Sequence, residues 1–137
     1  LYAGVVTRTA PALATLRRIV RDSMVNDRVR CRGARTLDDI ARGVAIAALS
    51  VSLAGRKGCG ACRGSGKVLS GCNRILCANC GGCGFKTWSV QDRCDASGLG
   101  ISRQAYERWL EYEAIAGQQI AEWQDAIRTA LRGLLGR

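Results

Sequence analysis

The chain of 137 residues contains no histidine. That removes the side chain most used for proton transfer near neutral pH, and it removes nitrogen ligands from any metal site. No phosphate loop of Walker type is present. Gly64-Ser65-Gly66-Lys67 resembles the end of one, but cysteine spacing already accounts for it. Asp38-Asp39 is the only adjacent carboxylate pair, and it suits a helix start better than a metal. A catalytic role is therefore not expected. Long apolar runs are missing too: the longest uncharged one, Gly43 to Gly55, is far short of the ~20 residues of a membrane span. No basic region precedes an apolar run at the start, so no signal peptide is visible. The first residue is Leu1, not Met, so the chain is expected to be a fragment whose targeting segment could be missing.

Acidic residues are scarce. Eleven Asp plus Glu face twenty-one Lys plus Arg, and the net charge of +10 is unevenly spread. Residues 1–58 hold eleven basic and four acidic residues, residues 59–86 four and none, residues 87–137 six and seven. A basic front half with a neutral tail points to a polyanion met by one face. Arg outnumbers Lys eighteen to three, and the guanidinium fork matches phosphate oxygens. Apolar residues at 47% and charged ones at 23% exclude a disordered chain. The length makes a single compact domain, 1–137, the default.

Cysteine, by contrast, is abundant, with eight. Such a count fits either a disulfide framework or a metal site. Cys59-x2-Cys62 and Cys77-x2-Cys80 favour the metal: two short knuckles, each offering two sulfurs, suit one tetrahedral structural Zn2+. With no histidine the site would be closed and all-sulfur. Glycines follow both pairs at the same offsets, Cys62-Arg63-Gly64-Ser65-Gly66 and Cys80-Gly81-Gly82-Cys83-Gly84. A backbone turning back toward the sulfurs needs positive φ there. Cys83 falls on the free position of the second repeat, although Cys80-x2-Cys83 leaves a shifted ligand set open. Cys31, Cys72 and Cys94 have no partner at metal spacing and read as small packing residues or free thiols.

The rest reads as helix. Pro11 marks a helix start, followed by Leu13, Leu16, Ile19, Val20 and Met24 on one side and Arg17, Arg18 and Arg21 on the other. Arg28 to Arg35 is a basic connection. Thr36, with Asp39 three residues on, caps a second helix. Ile40, Val44, Ala47, Ala48, Val51 and Leu53 make that helix apolar almost all round, hence buried, and Gly55 ends it. Parts 9–55 and 56–86 are thus a helical pair and a zinc-binding module. Part 87–137 opens with a helix-turn-helix pattern, for which a chance helical hairpin is the plain alternative. Ala96 is its small residue, Gly100 its turn, and Leu99, Ile101, Tyr106 and Trp109 its packing positions, while Asp95 departs from the usual apolar residue. Ser102 caps the second helix, leaving Arg103, Gln104, Glu107 and Arg108 where base edges would be read. Ser102 to Leu135 is one long helix, or two broken near Gly117. Trp109, Ala116, Trp123 and Ala130 recur every seven residues, as do Ile120, Ile127 and Leu134, with Glu113 interrupting. That seam suits another helix, the chain's own or a partner's. The fold class expected is mainly α: a helical core with an inserted four-cysteine zinc module, then a helix-turn-helix and a long C-terminal helix.

Two helices, then Cys-x2-Cys-x-Gly-Ser-Gly-Lys, a basic linker, Cys-x2-Cys-x-Gly-x-Gly-Phe, a helix-turn-helix and a long helix: in that order the chain resembles the Q antitermination proteins of lambdoid bacteriophages. J-protein chaperones share the cysteine unit, but carry four of them and a His-Pro-Asp signature that a chain without histidine cannot have. The resemblance implies a late-gene antiterminator of the host bacterial cytoplasm. It would bind double-stranded promoter DNA, engage host RNA polymerase with its primary sigma factor near the RNA exit channel, and suppress pausing and termination. Elongation factors and nascent RNA are further partners it implies; a membrane is not. Cys59, Cys62, Cys77 and Cys80 would hold zinc, and Arg103, Gln104 and Arg108 would enter the major groove. Arg63, Lys67, Arg74 and Lys86 would meet phosphates or RNA. Two other readings stand beside it, a J-protein-like chaperone or thiol module and a basic zinc ribbon binding RNA by charge alone.

Overall fold

The computed structural model describes residues 2–31, 33, 35–54 and 57–136, with side chains from Ala10 onward apart from those of Ala54 and Lys57. Gly55, the expected end of the second helix, lies outside the described residues, as does Arg32 of the expected connection. Among the described residues the elements run α1 (Tyr2–Asn26), α2 (Leu37–Ala54), β1 (Lys57–Gly58), β2 (Lys67–Ser70), β3 (Asn73–Leu76), β4 (Phe85–Lys86), α3 (Val90–Ser97), α4 (Arg103–Glu107) and α5 (Leu110–Leu135). Helix dominates, and none of these helices is long and apolar enough to cross a membrane. The chain divides into two compact units, 1–52 with 90–137, and 53–89. The cysteine-rich segment is therefore an insertion into a helical unit.

In the helical unit the expected periodicity of α1 holds: Leu16, Val20 and Met24 are fully buried, with Leu13 packed against them. Its start is different from the expected one. The helix runs through Pro11 rather than beginning there. Proline's φ is itself helical, so an interior position gives up one backbone hydrogen bond without ending the helix. Thr36 and Asp39 form the expected reciprocal cap: the Thr36 amide donates to the Asp39 carboxylate at 3.1 Å, and the Asp39 amide to the Thr36 hydroxyl at 3.2 Å. The Thr36 amide, with the Thr36 hydroxyl beside it, holds the Asp39 carboxyl below its usual range. Arg17 of α1 pairs with Asp38 of α2, its Nε 2.9 Å from Oδ1. The buried face of α2 is Ile40, Ala41, Val44, Ala45, Ala47 and Ala48. Leu53, expected on it, is 62% exposed, because the apolar surface of α2 outruns what the unit covers.

The last helix breaks at Arg108–Trp109, not near Gly117. Trp109 has φ −99 and ψ −2, and its amide bonds Tyr106 three residues back at 2.8 Å. This tight turn lets Tyr106, Trp109 and Tyr112 all point into the core, where each is no more than 6% exposed. In a continuous helix residues three apart lie about 60° from each other, so these three would fan over about 120°. The core is completed by Leu99, Cys94, Ala116 and Ile120. Cys94 is buried, which raises its thiol, with the Asp95 charge adding to the shift. It packs as expected and donates to the Ile101 carbonyl at 3.2 Å.

A candidate metal centre and a candidate nucleic-acid interface

The inserted unit is built from two copies of one turn. Cys59, Cys62, Cys77 and Cys80 bring their sulfurs within 4.8 Å of one another, and three of the four are buried. Equivalent sulfurs of the two copies lie side by side, Cys59 and Cys77 at 3.9 Å and Cys62 and Cys80 at 3.7 Å. Four sulfurs ~2.3 Å from a central ion would sit about 3.8 Å apart, so the spacing fits a tetrahedral metal site. It does not fit disulfides, whose sulfurs lie ~2 Å apart, and all eight cysteines are free.

Matching hydrogen bonds relate the copies. The Cys59 amide donates to the Gly84 carbonyl and the Cys77 amide to the Gly66 carbonyl, both at 2.9 Å. The Gly66 amide donates to the Cys62 sulfur at 3.2 Å and the Gly84 amide to the Cys80 sulfur at 3.3 Å. The glycines permit this crossing. Gly66 (φ +77) and Gly84 (φ +80) leave no room for a Cβ, which would meet the carbonyl oxygens of Gly82 and Gly64 at 2.3 and 2.4 Å. The expected need for positive φ is thus compounded by close backbone approach.

The same symmetry identifies Cys83. Ser65 donates to the Cys62 and Lys67 carbonyls at 2.7 and 2.9 Å. Cys83 donates to the Cys80 and Phe85 carbonyls at 3.0 and 3.1 Å. Cys83 therefore does what Ser65 does in the other copy: it is exposed, stands outside the four-sulfur cluster and braces a turn. Cys72 is exposed as well, while Cys31 is half-buried against the helical core.

The electrostatics of the cluster favour a cation. The amide of Cys62 draws the Cys59 thiol down to about 6 against the opposing effect of burial, with help from the Ala61 amide and from Asn79, whose side-chain NH2 lies 3.3 Å from the sulfur. Asn79 is a contact that cysteine spacing does not reveal. The Cys80 amide acts on Cys77 in the same sense, but burial and the thiols of Cys80 and Cys59 outweigh it and raise Cys77. Sulfurs this close shed all their protons only with a positive ion between them.

The basic residues of this unit, Arg63, Lys67, Arg74 and Lys86, are all exposed. Register pairs Lys67 with Leu76 and Leu69 with Arg74, which puts Lys67, Leu69, Arg74 and Leu76 on one face of the β2–β3 hairpin. Lys67 and Arg74 line a depression of about 150 Å³ with Ser65 and Leu69. Residues 59–86 contain no acid to neutralise them.

In the helical unit, α3 and α4 form a hairpin through Gly98 (φ +68) and Gly100 (φ +64). Side-chain hydrogen bonds brace this turn. Ser97 is buried, donating to the Cys94 carbonyl at 2.6 Å and accepting from the Leu99 amide at 3.3 Å. Leu99 sits over Gly43 of α2, where an added Cβ would lie 2.6 Å from its Cγ. Glu113, which breaks the heptad series, is 3% exposed. Arg93 of α3 donates to it at 2.6 Å and Tyr106 of α4 at 3.1 Å, so one carboxylate of α5 holds both helices. Burial, with the Glu113 charge, lifts Tyr106 far above the usual phenol range.

Ser102 is the N-cap, as expected, accepting from the Ala105 amide at 3.2 Å. The outward residues of α4 are in differing states. Arg103 and Glu107 form an exposed i,i+4 pair at 3.5 Å. Gln104 lines a cavity of about 340 Å³ with Arg35, Ile40, Ile101 and Trp109. Arg108, expected to point outward only, donates to the Arg30 carbonyl at 3.2 Å and lies over the Trp109 ring at 4.7 Å, because it stands at the break between α4 and α5. No family model, curated protein or solved structure matches the chain.

Proposed function

We propose that this chain is a late-gene transcription antiterminator of the lambdoid-phage Q type, a DNA-binding protein with one structural zinc. The observation that carries the reading is the pairing, in one chain, of a closed four-sulfur knuckle with a helix pair whose turn is braced and whose second helix starts at the Ser102 cap. Zinc is the metal we assign, since a closed all-sulfur tetrahedron leaves no position for substrate. Bound there, it would supply folding energy rather than chemistry.

In this reading α3 and α4 act as the helix-turn-helix, with Arg103 and Gln104 offered to base edges. Arg103 is free to swap the exposed Glu107 for a base, as such surface pairs contribute little. Arg108, bound to the Arg30 carbonyl, serves to position α4. Arg63, Lys67, Arg74 and Lys86 contribute phosphate or RNA contacts through their charge. On this reading, promoter DNA is the loading site. RNA polymerase with its primary sigma factor is the partner, and action near the RNA exit channel hinders terminator hairpins.

The twofold relation of the cysteine turns favours a second reading, the J-protein-like module, since that repeat is what the two families share. Sequence-specific DNA binding separates them. Arg103→Ala should weaken binding to the selected promoter site by roughly 1–3 kcal/mol and change random-DNA binding little. Competition titrations with the two DNAs measure this. Equal losses would make Arg103 a phosphate contact, and no preference for any sequence in the parent chain would remove the antiterminator reading.

A further inference from the structure

The seam along α5 divides at its middle. Ala116 and Ile120 are buried in the helical unit and Trp123 packs at its margin, yet the same stripe continues as Ile127, Leu131 and Leu134, which are 60%, 51% and 69% exposed. In a helix these three lie within about 60° of arc, and Ala126, Ala130 and Gly133 flank them on one side. A Cβ at Gly133 would touch nothing within 4 Å. The result is a charge-free ridge with small residues beside it, the surface that lets another helix come close.

The geometry points to a second copy of this chain as the occupant, its α5 packed antiparallel about a twofold axis near Ile127. Charge singles out this partner. The whole chain carries +10, so two copies repel everywhere except where the surface is neutral. Residues 121–136 are neutral: Glu122 and Asp125 balance Arg128 and Arg132. All four stand about 100° or more round the helix from Ile127, and Arg128 is already paired with Asp125 at 3.3 Å. An acidic partner would have nothing here to answer it. The antiparallel sense keeps the two strongly basic bodies at opposite ends of the paired helices. About 24 Å of helix is available, a contact below the ~800 Å² per partner of stable complexes, so the dimer is a reversible one.

This gives a distinctive salt response. The contact holds no ion pair while the bodies repel, so added salt should tighten association, whereas docking to a charged partner would weaken. Sedimentation equilibrium of the zinc-loaded chain under reducing conditions, from about 1 μM to 1 mM, should show dimer formation that strengthens between low and high salt. Leu131→Glu and, separately, Leu134→Glu should each weaken it about tenfold or more. Their far-UV circular dichroism should stay that of the parent, since both side chains are exposed. A monomer throughout that range would overturn the proposal. So would association that salt weakens, or variants that dimerise like the parent.

Discussion

At the residue scale, the twofold relation of the cysteine turns separates side chains that look alike in the sequence. Cys77 is one of four clustered sulfurs, whereas Cys83 is the counterpart of a serine. Structural zinc typically contributes ~10 kcal/mol or more of apparent binding energy that is also folding energy. Cys77→Ser should therefore abolish stoichiometric metal and unfold the inserted unit, while Cys83→Ser keeps both, as metal analysis and proton NMR would show. A Cys83→Ser protein without metal would restore the shifted ligand set. Tyr112 offers a second residue-scale test. Burial, the bond it donates to Asp27 at 2.8 Å and the negative charges of Asp27 and Glu111 push its phenol from 10.0 up to about 12. The folded state keeps a proton that the unfolded chain releases. Its contribution is complete below pH 10 and is lost as pH rises toward 12. Alkaline unfolding followed by circular dichroism should be less steep in that window for Tyr112→Phe, and identical slopes would show that Tyr112 does not contribute.

At the scale of elements, the α3–α4 hairpin is seated by one glycine. Gly43→Ala should destabilise the helical unit by about 1–3 kcal/mol, because the new methyl overlaps Leu99 and the turn carrying Leu99 is pinned by Ser97. Denaturant melts of Gly43→Ala and of the double variant with Leu99→Ala test this. The methyl should cost far less once Leu99 is gone, and an equal cost in both backgrounds would refute the seat. Such a contact cannot be read from sequence, since Gly43 and Leu99 are far apart in the chain and neither is unusual where it stands. What was legible was local: the Thr36–Asp39 cap, the Ser102 cap, the cysteine pairs and their glycines all act within a few residues. Pro11 and the break at Trp109 were not, because either side of each position allows helix and tertiary packing decides between them. Glu113 appeared only as an interruption, its partners Arg93 and Tyr106 lying on two other helices.

At the scale of the whole molecule, an acid-free, cysteine-rich insertion of residues 53–89 interrupts a helical unit that ends in a helix whose last turns, from Ala121 on, are neutral and partly bare. Each has its own core, one of side chains and one of sulfurs. We assign DNA reading to the helical unit and phosphate or RNA contact to the insertion, and transcription is where both would act together. The measurement that tests this most directly is readthrough of an intrinsic terminator by host RNA polymerase holoenzyme, with and without the zinc-loaded protein. One template carries the phage late promoter and a control template an unrelated promoter. Readthrough is expected on the phage promoter alone. No readthrough on either template, with the protein folded and its metal bound, would contradict this assignment and leave a basic metal-binding module acting on something else.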